Sequence, residues 1–234
     1  MRFIVFSLSI LLALFIAEVG ICLPGPQIDY QEDWNTSNDL GEWESNTTVT
    51  NVIPSDHNGN PGGYLNSSGT AAGSFDIGAL TKIQQVTGDF RGSTWSISVD
   101  VQFIAGNFDA LWIRFRYKDS TENGWVFPLA STFPPGTWKT YFVAFNPDWT
   151  DGEARAHGWL TDRDIIPNAN PSQPWNITMS DVYTTEVRVS GEGPVEVGID
   201  NFHLQKAVSG VANPLICDRV VYNAAENSWT CFKD

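Results

Sequence analysis

With 234 residues and a formal charge of −14, from 13 Lys and Arg against 27 Asp and Glu, the chain repels phosphate backbones and anionic lipid. Nucleic acid is thereby excluded as a partner, a membrane surface is disfavoured, and cations or neutral molecules are favoured. The 10 Trp residues matter next, because indole serves both as core filler and as a flat platform for sugar rings.

At the start, Arg2 precedes an apolar run from Phe3 to Ile16 and a small-residue region ending at Gly20, Ile21 and Cys22. A basic start, a short greasy centre and a small-residue exit describe a secretory signal peptide, removed before folding. Cleavage is expected after Cys22; bulky Ile21 argues against a lipid anchor there, and the run is short for a membrane span. The expected layout is a signal peptide over 1–22, one β-domain over 23–206 and a tail over 207–234. The mature protein is then secreted, with no membrane insertion. Of the 3 Cys, Cys217 and Cys231 remain, and an oxidising compartment should join them in a disulfide that closes a C-terminal loop. Sequons at Asn35, Asn46, Asn66 and Asn176 are glycan acceptors in a glycosylating host, which would place those turns at the surface.

Along the chain, a first strand is expected around Gln31 to Trp34, followed by loop. Asp56 to Ser68 is turn chemistry, with Asn-Gly, Asn-Pro and Gly-Gly steps, before a short strand at Tyr64-Leu65. From Trp95 to Phe103 the odd positions are apolar and Ser96, Ser98, Asp100 and Gln102 lie between them, the pattern of a strand with one wet face. From Leu111 to Tyr117 the odd positions are again apolar, while Trp112, Arg114 and Arg116 share the other face. Gly124 to Leu129 continues the alternation, and Thr137 to Phe145 becomes apolar on both faces from Tyr141, which suits a covered central strand. Asn146 to Trp159 reads as a long acidic loop, and Tyr183 to Val189 alternates with Glu186 and Arg188 outward. In Pro194 to Leu204 the apolar residues sit on odd positions through Ile199 and on even ones from Phe202, so the parity switch at Asp200-Asn201 predicts a bulge. Strands parted by Gly, Pro and Asn turns, without sustained helical spacing, predict an all-β fold, an antiparallel β-sandwich of the jelly-roll kind.

The order of four landmarks, NPGGYL, GDFRGSTWSISVDVQF, GTWKTYFVAF and VEVGIDNFHL, resembles the laminin type IV (laminin B) module and related exported galactose-binding-like jelly rolls, over Tyr30 to Lys206. The chain departs from laminin in lacking flanking epidermal-growth-factor-like cysteine repeats. The resemblance implies a structural calcium between the first strand, the Gly-rich loop and the closing strand, and by position its ligands would be Asp33 or Glu32, Asn58, Asn60 and Asp200. Asp148, Asp151 and Glu153 form a rival oxygen-rich turn; calcium takes six to eight oxygens, but their spacing is not that of an EF-hand.

Sugars present apolar C–H faces, so exposed indoles with amides and carboxylates nearby are the expected recognition kit. Trp112, Arg114 and Arg116 on one strand face, or Trp149 and Trp159 in the acidic loop, are the candidates. The other reading of the first group is structural, guanidinium groups stacking on Trp112 and pairing with carboxylates to pin the sheet. No nucleophile elbow, zinc pair or phosphate loop is present, and only Asp148 with Glu153 could form a glycosidase-like carboxylate pair. The expectation is a secreted, non-catalytic carbohydrate-binding or adhesion module, the alternative being a matrix or cell-surface protein with a protein partner.

Overall fold

Two strands of unusual length carry the architecture. In the computed structural model, which describes residues 25–27, 29–36, 38–45, 50–118, 124–131, 134–207, 219–223 and 228–232, β6 runs 23 residues (Trp95–Tyr117) and β10 runs 25 (Val182–Lys206). The sequence pattern divides each into two shorter strands; in the structure each is continuous and bent. The bends fall where the β6–β10 register shifts, between Ser190 and Gly191 and between Glu192 and Glu196. Gly106 lies opposite this bend with φ +110°, and a Cβ there would come within 2.5 Å of the Pro194 carbonyl, so only glycine permits the approach.

The remaining strands, in chain order, are β1 (Asp29–Glu32), β2 (Trp43–Glu44), β3 (Thr50–Gly59), β4 (Gly62–Ala71), β5 (Ile77–Thr81), β7 (Gly124–Ala130), β8 (Trp138–Phe145) and β9 (Leu160–Thr161). The first half of β6 and the second half of β10 join β8, β4, β3 and β1 in a front sheet; the other halves join β7, β9, β5 and β2 in a back sheet. All these pairings are antiparallel, and the fold is an all-β sandwich, as the alternation predicts. β8 pairs with β6 alone among the described strands, so it is an edge strand and not the central one that its apolar run suggests. A separate hairpin of β11 (Arg219–Asn223) and β12 (Ser228–Phe232) follows; Cys217 lies outside the described residues, as do the signal peptide and Asn46.

The core lies between the sheets. Val99, Val101, Ile113 and Phe115 of β6 meet Val187, Val197, Ile199 and Phe202 of β10 there, all of them buried. An aromatic cluster closes one end, with Trp159 stacked on Phe115 at 5.5 Å and 17° and touching Phe145 and Trp175. The expected acidic loop holds a helix, α1 (Asp151–Ala156), whose Thr150 and Glu153 make a reciprocal capping box. Two more short helices, α2 (Asp162–Ile165) and α3 (Trp175–Ser180), follow it.

The outer face of the back sheet is covered. Phe75, with φ 64°, sits edge-on to Trp112 at 5.7 Å and beneath the Arg114 guanidinium at 4.8 Å, and α2 supplies Asp162. Below them lies a buried ionic network. Arg114 reaches both oxygens of Asp162, at 3.0 and 2.6 Å, and Glu186 at 3.2 Å, while Arg116 binds Glu186 and donates to the Thr184 hydroxyl at 2.9 Å. Arg188 donates to the Phe75 carbonyl and lies 3.4 Å from Glu186, with Nε and Nη1 lacking hydrogen-bond partners. Burial alone would raise the Glu186 carboxyl, but the surrounding Arg114, Arg116 and Arg188 outweigh it and hold it at about 2. Burial dominates at Arg188, lowering it to about 10.

Two outcomes follow from this packing. Trp159→Ala should lower the unfolding free energy by about 3–5 kcal/mol in urea titration, whereas Tyr183→Ala, at a 37 % exposed site, should stay within about 0.5 kcal/mol. Because the folded Glu186 carboxyl titrates at about 2 against its ordinary 4.5, its contribution is complete above about pH 4.5 and is lost as pH falls towards 2. Glu186→Gln should therefore cost about 3–5 kcal/mol at pH 7, and the gap to the native chain in melting experiments should close as the solution is acidified.

Candidate functional site

The front sheet offers the contrasting outer face. Even-numbered residues of β6 point outward there, and the antiparallel registers set five of these outward positions side by side. Trp138 of β8 is opposite Gln102 of β6, Gln102 opposite Gly198 of β10, Gly198 opposite Asn66 of β4, and Asn66 opposite Ile53 of β3. Gly198 gives this row its shape, since a Cβ there would sit 2.8 Å from the Trp138 ring and 3.0 Å from that of Tyr64. Both rings thus lie over the glycine, packed edge to face at 5.5 Å and 74°. Beside them Asn66 donates to Glu196 at 2.7 Å, and the Gln102 amide donates to the Gly136 carbonyl at 3.0 Å. Trp138, Tyr64, Gln102 and Glu196 are half-buried, and Ile53 is 55 % exposed, the most exposed large apolar side chain among the described residues.

One end of the row is roofed by the β3–β4 turn. Trp138 donates its indole N–H to the Asn58 carbonyl at 3.1 Å. Two residues on, the Asn60 N–H donates to Asp200 at 2.6 Å, and the Asn60 amide donates to Asp100 at 3.1 Å. Asp100 and Asp200 face one another across the β6–β10 pair, and both are buried. The predicted bulge is present. Between Asp200↔Asp100 and His203↔Ser98 one extra residue intervenes on β10, with Asn201 at φ 47°. The bulge turns the Asn201 N–H onto Asp200 at 2.7 Å and its amide onto Asp100 at 2.8 Å and the Asn60 carbonyl. Thr140 of β8 donates to Asp100 at 2.5 Å. Burial pushes the Asp200 carboxyl up to about 6, against the two backbone N–H groups, and the like charges of Asp100 and Asp33 add to the rise.

Of the residues expected to ligate calcium, Asn60 and Asp200 come into contact and Asn58 is close by, while Asp33 accepts the Asn35 N–H at 3.1 Å in its own turn. Glu32 accepts from the Tyr30 hydroxyl and the Trp34 N–H. The arrangement does not fit a hard cation. Each Asp200 oxygen faces a backbone N–H, and each Asp100 oxygen faces a hydroxyl or amide N–H, where calcium needs oxygens converging on one point. Among the described residues, no group of three or more His, Cys, Asp or Glu is placed to hold a metal ion. In the rival turn, Asp148 accepts the Gly92 N–H, Asp151 the Trp175 N–H, and Glu153 caps Thr150, so these acids serve structure.

The sugar-platform candidates are dispersed. Trp112, Arg114 and Arg116 share a face, but it is the buried one, and the carboxylates occupy the guanidinium groups as the structural reading requires. Trp112 donates to the Ser190 hydroxyl and is only 8 % exposed, at a cleft of about 450 Å³ lined also by Ser74, Asp109 and Ser131. Trp159 is fully buried, which removes it as a ligand platform, and Trp149 is half-buried and stacked on His157 at 4.2 Å and 4°. Among the sequons, Asn66 is buried in mid-strand with its amide nitrogen on Glu196, so the expected surface turn is not there. Asn35, exposed, accepts the Gly63 N–H, and Asn176 is exposed on α3.

Tyr64, Asp100, Trp138 and Glu196 were not singled out by sequence reading as site residues, whereas the parity switch marks Asn201 with Asp200. One signal does point to Tyr64 and Trp138. A glycine inside a strand pattern marks a close approach, and Gly198 is such a glycine.

No family model and no curated protein matches the chain. The comparison with solved structures does find likenesses. The family 11 carbohydrate-binding module of a Clostridium thermocellum cellulosomal cellulase aligns at TM-score 0.51 and 16 % identity, over 78 % of this chain and 97 % of that one. The CBM22-1 xylan-binding domain from Paenibacillus barcinonensis aligns at TM-score 0.50 and 11 % identity, over 80 % and 99 %. A Clostridium thermocellum xylanase structure comprising CBM22-1 and GH10 modules with xylohexaose aligns at 0.49 and 13 % identity, and this chain spans only 29 % of it. At these identities the first two likenesses establish the fold, the β-sandwich also found in carbohydrate-binding modules.

Proposed function

We propose that the chain is an exported, non-catalytic carbohydrate-binding module that takes a glycan chain across the outer face of the front sheet. The observation that carries this reading is the row Trp138–Gln102–Gly198–Asn66–Ile53, with Tyr64 and Glu196 beside it. It places a half-exposed indole at one end, an exposed aliphatic at the other, and amides with a carboxylate between. Stacking on C–H faces and hydrogen bonding to hydroxyls are the two interactions a sugar offers.

Four strand spacings of about 4.8 Å make the row roughly 19 Å long, the reach of a chain and not of a single sugar. The sandwich is shared with a carbohydrate-binding module whose name states xylan binding and with a family 11 carbohydrate-binding module, which supports the reading without naming the glycan. A matrix or cell-surface role with a protein partner has less support. Ile53, Ile177 and Tyr183, the exposed large apolar residues among those described, lie on three separate elements, β3, α3 and β10. Hydrolysis has less still, since Asp148 and Glu153 are engaged in turn and cap hydrogen bonds.

A glycan array followed by titration calorimetry tests the reading. Binding to a polysaccharide should weaken at least about tenfold in Trp138→Ala, equivalent to about 1.4 kcal/mol, with no sugar released from the bound polymer. Trp149→Ala should leave affinity unchanged. Loss of binding in Trp149→Ala alone would move the site to α1, and an array without signal would sink the carbohydrate reading.

A further inference from the structure

The buried pair Asp100 and Asp200 lies beside the row but not in it. Two carboxylates directly opposite one another on adjacent strands repel, so their retention needs compensation. Five donor groups supply it, namely the Asn60 and Asn201 backbone N–H groups, the two side-chain amides and the Thr140 hydroxyl. Two of these donors belong to Asn60, at the tip of the β3–β4 turn. Asn58, two residues earlier, holds the Trp138 indole N–H through its carbonyl. The path from the acids to the indole is therefore short and made of direct contacts.

We propose that Asp100 and Asp200 form a hydrogen-bonded clamp, made without a cation, that fixes the β3–β4 turn and through Asn58 orients the Trp138 ring over Gly198. The role for ligand binding rests on the carbohydrate reading above; the orientation of Trp138 does not. Asp200 is a positioning residue in this scheme, since it touches the turn and not the ligand. The clamp replaces the calcium that the chain's resemblance to jelly rolls implies. Each Asp200 oxygen already accepts a backbone N–H, and a backbone amide cannot be turned about to offer a cation an oxygen instead.

The test follows the indole N–H signal of Trp138 in nitrogen-15 spectra of the full chain, assigned by its disappearance in Trp138→Phe. In the native chain the signal should be protected from solvent exchange and unmoved by chelator or by millimolar calcium. In Asp200→Asn, and in Asn60→Ala as a milder variant should the first not fold, the signal should shift and lose protection. The core signal of Trp159 should stay in place in both. Affinity for the bound glycan should fall about tenfold in Asp200→Asn, close to the effect of removing the ring itself. A Trp138 signal unchanged in both variants would overturn the clamp, as would a signal that chelator shifts and calcium restores. A native chain that binds no glycan would refute the carbohydrate reading, while the indole signal would still decide the clamp.

Discussion

The antiparallel pairing of β6 with β10 is the constraint on which the rest of the molecule depends. Both strands bend, so one pairing, shifted in register at the bends, builds the middle of both sheets, and its register fixes which side chains are inside. A slip of one residue would send Val99, Val101 and Ile113 outward and bring Asp100 and Arg114 into the core. The same register dictates what meets on the outside. At one end Asp100 is set against Asp200; at the other, Arg114 is set against Glu186 and Arg188 against Trp112. One geometric choice thus creates a like-charge pair on the front sheet and an opposite-charge pair on the back.

The two faces resolve these charges in different ways. On the back sheet, guanidinium groups and carboxylates are buried together under Phe75 and α2, and the network turns that face into a second packed layer. Removing one member there strands the others in a low-dielectric interior, so the face is fixed in place. On the front sheet no Arg is available, and the acids are held by amides, a hydroxyl and backbone N–H groups from a turn and a bulge. Such contacts occupy little area. They leave the neighbouring row half-exposed, which is why the open face and not the ionic one is suited to a ligand.

The legibility of these features follows the range of the interactions that make them. Alternation is local, and the apolar odd positions of Trp95 to Phe103 and Leu111 to Phe115 are buried as the pattern implies. The bulge at Asp200-Asn201 is local too, and the parity switch marks it. The continuity of β6 through 104–110 is not visible, because Gly106, Asn107 and Asp109 interrupt the pattern where the strand crosses from one sheet to the other. Pairing is invisible for the same reason. A strand pattern shows that Trp112, Arg114 and Arg116 share a face, but the groups that cover it, Phe75 and Asp162, come from distant parts of the chain. The capping pair Thr150 and Glu153 could have revealed α1, yet six residues are too few for apolar periodicity.

Trp content raises the same question more sharply, since nothing in composition separates an indole that fills the core from one that receives a ligand. Trp34, Trp43, Trp125, Trp159 and Trp175 are all among the most deeply buried side chains. Trp138 differs in where its neighbours' backbones lie. It sits at the start of an edge strand, on the outward parity, and two strands away the register presents a glycine. With no side chain at 198, the ring can lie down on the sheet against Tyr64 instead of standing away from it, and its N–H reaches the turn that Asp200 holds. The character of the face therefore follows from one absent side chain and one extra residue on β10, Gly198 and Asn201, three positions apart.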